Sequence, residues 1–307
     1  MRGYLIRRLL QFIPVVIGAT FIIFALVFAI PGDPIRALSG DRPMSEAVQA
    51  TLRDRYNLDD PLLIQYGKYM LALVQGDFGM TFTGRPVSDI IGQRAPVTAQ
   101  LALTAFVIQA VIGGIAGILA ALRRQGFLDS LVQVSTTVLV AIPTLVLAMI
   151  GQVVFGLHLG WFPIAGTGQG WYSYVLPGAM LASTSMALIA RLLRTSLLEN
   201  LRADYVRTAT AKGLSRSRVV GRHALRNSMI PVVTFLGADL GAMLSGTVII
   251  EGIFNLPGLG GEVFRAIGAQ EGTVVVGIVT LFVLIFVTLS LIVDVLYAYL
   301  DPRIRYD

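Results

Sequence analysis

Apolar runs of bilayer-crossing length constrain this chain more than any other feature. The first, residues 9–30, contains no charged side chain. Further runs occupy 97–122, 131–155, 229–250 and 274–299, and a shorter one, 172–190, begins near Pro177. A helix needs about 20 apolar residues to cross the hydrocarbon layer, and only helices or closed barrels satisfy their backbone there. The pattern predicts an all-α membrane protein with six transmembrane helices. Only 14% of residues are charged, well under the roughly 25% of a soluble domain. Arg2, Arg7 and Arg8 ahead of the first run have the grammar of a signal peptide, but a signal's apolar region is typically about 7–15 residues. No small-x-small site precedes Pro31-Gly32-Asp33-Pro34, so the expectation is a retained first helix with a cytosolic N-terminus.

Six crossings place both termini on one side. The N-terminal arginines, Arg123, Arg124, the basic stretch 191–226, Arg303 and Arg305 all fall on that side, and an excess of basic residues marks the cytosol. The expected organisation is a cytosolic N-terminus and first helix over 1–30, an external loop over 31–95, a five-helix core over 96–300 and a cytosolic tail over 301–307. In the external loop Leu62, Leu63, Tyr66, Tyr69, Met70 and Leu73 recur at helical spacing. They predict an amphipathic helix that caps the bundle, since its polar face lacks the basic enrichment of a helix lying on lipid. Gly76-Asp77-Phe78-Gly79 follows as a turn. Glycines at 113, 114 and 117, and again at 237, 241 and 246, are spaced to let helix backbones approach closely. Pro143, Pro177 and Pro231 are placed to kink or start helices.

Residues 191–226 form a basic elbow between two apolar runs. Helix formers fill 203–212, Gly213 stands where a helix needs a left-handed C′ residue, and Ser215 stands where a second helix needs an N-cap. A structured charged elbow on the cytosolic side offers itself to a protein partner. Anionic lipid headgroups also attract such clusters. The elbow's place between two spans argues against a DNA-binding helix-turn-helix, and no nucleic acid is expected as a partner.

Asp239 lies mid-span, where an acid costs roughly 2.5–3.5 kcal/mol on insertion scales. It is either a residue of the substrate pathway, meeting a cationic part of the cargo, or a hydrogen bond to a neighbouring helix; both readings stay open. Asp294 is near enough to the cytosolic end to be structural. His158 and His223 each stand alone, so no metal site is expected. The two lysines, Lys68 and Lys212, have no G-x-x-x-x-G-K-[ST] context, which removes the phosphate-binding loop of an ATPase. With no cysteine, thiol chemistry is absent as well.

Tyr205-Val206-Arg207-Thr208-Ala209-Thr210-Ala211-Lys212-Gly213-Leu214-Ser215, continuing to Arg222-His223-Ala224-Leu225-Arg226-Asn227 and Ile230-Pro231, resembles the EAA loop of ABC importer permeases. The resemblance is to the peptide/nickel (dipeptide and oligopeptide) branch, and to its B-type permease. It extends to the arginine-led first span, Gly76-Asp77-Phe78-Gly79, Glu251 with Phe254-Asn255-Leu256-Pro257-Gly258-Leu259-Gly260, and Asp301-Pro302-Arg303. Two departures stand out: Arg207-Thr208-Ala209 replaces Glu-Ala-Ala, and Leu225-Arg226 replaces a later Leu-Pro.

The resemblance implies a type I importer fold. It also implies four kinds of partner: a second homologous permease, two cytosolic ATPases, an external substrate-binding protein and membrane lipid. ATP and Mg would sit in the ATPases, with no cofactor in this chain and no enzyme activity of its own. Tyr205, Arg207, Thr208, Ala209, Lys212, Gly213 and Leu214 would dock on an ATPase, and Asn255, Pro257, Gly258 and Gly260 would face the binding protein. Peptides are the implied cargo, and the bacterial cytoplasmic membrane the implied location. The rival readings are a proton-coupled secondary transporter using Asp239 and a membrane scaffold that transports nothing.

Overall fold

The computed structural model describes residues 2–28, 45, 49–50, 53 and 59–300. Among these the extended elements are helices: α1 (Arg2–Phe28), α2 (Leu62–Val74), α3 (Val87–Leu122), α4 (Phe127–Ala141), α5 (Thr144–His158), α6 (Gly170–Asn200), α7 (Asp204–Ala211), α8 (Arg216–Ile253), α9 (Leu259–Gly268) and α10 (Gly272–Leu300). Pro31-Gly32-Asp33-Pro34, Asp301-Pro302-Arg303, Arg305 and the side chain of Asp294 lie outside the described residues.

Five segments are long and apolar enough to cross a membrane: Leu10–Phe28, Val87–Leu122, Gly170–Asn200, Arg216–Ile253 and Gly272–Val293. The crossing expected over 131–155, with Pro143 placed to kink or start a helix, is the pair α4 and α5, bent by 107°, which completes six spans when counted as one. The cause is local. Ile142, the residue before Pro143, is extended at φ −96° and ψ 127°, because the proline ring disfavours helical backbone in its predecessor.

The chain divides into two compact units, 1–98 with 257–307, and 99–256. In the first, the amphipathic helix α2 seats its aromatic face on α1. The Tyr66 hydroxyl donates to the Ile17 carbonyl at 2.9 Å, and its ring meets Phe21 edge-on at 5.2 Å. The Tyr69 hydroxyl donates to Thr280 Oγ1 on α10 at 2.9 Å, and burial pushes its phenol up to about 12. The turn after α2 uses two left-handed glycines, Gly76 (φ +82°) and Gly79 (φ +92°), and Asp77 Oδ1 accepts from the Gly79 N–H at 2.8 Å. On α9, Glu262 pairs with Arg94 at 3.1 Å and with Arg265.

In the second unit α6 is the central helix, packed against α3, α4, α5 and α8. Small residues set the approach. A Cβ on Gly113 would lie 2.8 Å from the Met186 carbonyl oxygen, and one on Gly117 would lie 2.7 Å from that of Ala190. Gly246 of α8 sits against the end of the Leu181 side chain, whose Cδ1 would lie 2.7 Å from a Cβ there. Gly114, by contrast, has nothing within 4 Å.

Candidate functional site

The elbow begins as the end of α6, which continues without interruption through Arg191–Asn200. Its first two arginines therefore point into the bundle and are not part of a free cytosolic patch. Arg191 donates to Thr136 Oγ1 at 3.0 Å and Thr137 Oγ1 at 2.7 Å. Arg194 grips the buried Asp129 of α4 with two hydrogen bonds, at 2.6 and 2.8 Å.

After a short turn the chain enters α7, which is Asp204–Ala211, one residue shorter at each end than the expected 203–212. Asp204 occupies the first turn, where an acid complements the positive end of the helix dipole. One face of α7 is apolar. Val206 and Ala209, only 5% and 6% exposed, pack with Ala121, Leu197, Val219 and Ala224, and Leu198, Leu201, Leu214 and Leu225 surround them.

The helix ends on two reverse hydrogen bonds. The Gly213 N–H donates to the Thr210 carbonyl at 3.0 Å and the Leu214 N–H to the Ala209 carbonyl at 3.3 Å. This closure requires a left-handed C′ residue, and Gly213 supplies it at φ +78°. Leu214 then folds back onto the cluster beneath Ala209. Ser215 stands at the N-cap of the next helix, as expected, but its side chain makes no capping bond.

That next helix is α8 itself. Arg216–Ile253 runs unbroken from the elbow through the membrane. A π turn over Val219–Ala224 explains how it starts. Val219 and Ala224 both bury against α7, although residues five apart sit about 140° apart around a regular helix. The wider turn brings them to one side.

Of the seven residues expected to dock, Tyr205, Arg207, Thr208, Lys212 and Gly213 are exposed. Ala209 and Leu214 face inward and hold the elbow to the bundle. The expectation that Ala209 presents a surface is corrected by the period of α7, which puts it three positions after buried Val206, whereas Leu214 lies beyond the helix and is half-buried. Of the external group, Asn255 and Pro257 are exposed, whereas Gly258 and Gly260 are buried and present no surface. Asn255 adopts φ +46° and closes α8 as Gly213 closes α7, with Leu256 N–H donating to the Glu251 carbonyl at 2.9 Å.

Asp239 is half-buried in the middle of α8. Its Oδ2 accepts from Gln109 Nε2 at 2.8 Å and its Oδ1 from Ser185 Oγ at 2.9 Å. Gln109 opens the π turn Gln109–Gly113 of α3. Hydrogen bonds to neighbouring helices are thus present, as one of the two readings of Asp239 required. Gln109 and Ser185 were missed from sequence. The available signal was an amide in an otherwise apolar run, four residues before Gly113.

Comparison with known proteins agrees along the whole chain. Residues 113–306 match the family described as binding-protein-dependent transport system inner membrane component, and residues 1–102 match its N-terminal companion model. The chain is 38% identical over 307 residues to the glutathione transport system permease protein GsiC of Escherichia coli (strain K12), covering all of both chains. It is 36% identical over 334 residues to the dipeptide transport system permease protein DppB of Alkalihalophilus pseudofirmus, again covering all of both.

Proposed function

The chain belongs to the family of binding-protein-dependent transport system inner membrane components, and from that premise we propose that it is one of two permease subunits of an ATP-driven importer of peptides. The relatives named for glutathione, itself a tripeptide, and for dipeptides support that cargo class. The observation that carries the coupling is the elbow: a short helix closed by Gly213, apolar beneath, exposed above and joined by the turn at Leu214-Ser215 to α8. Tyr205, Arg207, Thr208, Lys212 and Gly213 form the face that seats on a cytosolic ATPase.

In this reading ATP and Mg are held by the ATPases, and this chain has no ATP site of its own. Closure of the ATPases on ATP moves α7 as a rigid body, and α8 carries that movement into the membrane. The pathway between the two permeases then opens alternately to an external binding protein and to the cytosol. Both termini face the cytosol, and Asn255 and Pro257 lie on the side of the binding protein.

Purification from membranes tests the assembly. Isolation with a second permease and two ATPase subunits, followed by ATP-dependent dipeptide uptake in liposomes, is the expected result. Uptake by this chain alone, driven by a proton gradient, would instead support a secondary transporter. A stable complex that moves nothing would make it a scaffold.

A further inference from the structure

Asp239 has no cation beside it among the described residues. Among the described residues its carboxylate takes hydrogen bonds from two neutral donors, Gln109 and Ser185, and the ion pairs involve other acids. Gln109 is fully buried and its Oε1 has no hydrogen-bond partner among the described residues. Turning the amide over does not help, because Oε1 would then face an anionic oxygen. The group is therefore rich in acceptors, carries one negative charge and lacks the donor that would balance it.

The surface of α8 changes beside this group. Its exposed large apolar side chains, Ile230, Val233 and Ile249, lie towards the ends of the apolar run 229–250. At mid-height the exposed positions are Ala238, Ala242 and Ser245. A carboxylate that is half open at mid-span does not face lipid, where it has no solvation.

Resting on the reading of the chain as a peptide-importer permease, we propose that Asp239, Ser185 Oγ and Gln109 Oε1 form a subsite for a primary ammonium group, the free amino terminus of a peptide in transit. A primary ammonium brings one positive charge and three N–H donors. The subsite supplies one negative charge and oxygens from three side chains on three helices, α3, α6 and α8. The charge-assisted contact to Asp239 takes the place of the water that the amine leaves behind. Gln109 Oε1 gains the donor it lacks. A carboxylate serving only to tie helices together would be replaceable by an amide, and that difference makes the assignment testable.

The complete complex in liposomes, with its binding protein and ATP, is given dialanine or N-acetyl-dialanine, comparing wild type with Asp239→Asn. Asparagine keeps the size of the side chain and an acceptor for Gln109. Uptake of dialanine at limiting concentration is expected to fall about tenfold or more, the factor carried by one lost charge-assisted hydrogen bond, while uptake of the acetylated peptide is little changed. Ser185→Ala should shift the same ratio in the same direction, less strongly. A second readout stands even when the binding protein rejects the blocked peptide: Asp239→Asn should move fewer dialanine molecules per ATP hydrolysed. Equal loss for both peptides, or an unchanged ratio of dialanine to ATP, overturns the ammonium subsite and leaves Asp239 as a tie between helices. A wild-type complex that hydrolyses ATP with its binding protein but moves neither peptide overturns the peptide reading, and this assignment with it.

Discussion

Arg194 on α6 forks onto Asp129 on α4, Nε to Oδ1 at 2.6 Å and Nη2 to Oδ2 at 2.8 Å. Asp129 is 1% exposed and also accepts from the Gln125 N–H and Gln133 Nε2. Replacing Arg194 by leucine leaves a buried, uncompensated carboxylate, a change that costs about 3–5 kcal/mol in proteins. The expected outcome is a lowered Tm for the purified protein. Arg194→Lys keeps the charge but not the two-point geometry, and should fall between. An unchanged Tm in Arg194→Leu contradicts the assigned role of the pair.

The close approach of α3 to α6 separates three neighbouring glycines. A Cβ at Gly117 meets the Ala190 carbonyl at 2.7 Å, whereas Gly114 has nothing within 4 Å. Gly117→Ala is expected to destabilise by about 1–3 kcal/mol through overpacking, and Gly114→Ala to stay within about 0.5 kcal/mol of wild type. Thermal unfolding of the two variants side by side checks the contrast.

The two faces of α7 predict two kinds of defect. Val206 is 5% exposed, so Val206→Asp buries a charge among Leu197, Val219 and Ala224 and should lower the amount of folded protein in the membrane. The Arg207 side chain is 74% exposed. Arg207→Glu should leave abundance unchanged and reduce ATP-driven uptake by about fivefold or more, as expected for an arginine in an interface. Quantifying protein and transport in the same membranes distinguishes the two.

Gly213 has nothing within 4 Å of a Cβ position but a φ of +78°. The cost of replacing it is therefore conformational, about 1–3 kcal/mol for a residue forced into the left-handed region. Gly213→Val should lower transport while membrane insertion is retained. Gly213→Asn, which tolerates that backbone, should recover most of the activity. Equal transport in wild type and the valine variant contradicts the rigid elbow.

Much of this was legible because the signals are local. Apolar length marks a span, and a glycine after a helix-forming run marks a left-handed closure, so α1, α10 and Gly213 could be read from their own neighbourhoods. The bend at Pro143 was visible as a proline, but 107° depends on how α4 and α5 each pack on α6. The inward turn of Arg191 and Arg194 was hidden for a related reason: counted as basic residues they mark the cytosolic side, and only packing against α4 reveals their partners. The partners of Asp239 were least accessible. Gln109 lies 130 residues away, and a π turn that no local composition announces brings it there.

ATP hydrolysis by the isolated complex in liposomes, with the binding protein present and peptide added, tests the central claim most directly. Coupling through the elbow predicts hydrolysis that rises with peptide and loses that response in Gly213→Val. If no ATPase accompanies this chain, or if Gly213→Val responds to peptide as wild type does, the elbow is not the coupling element.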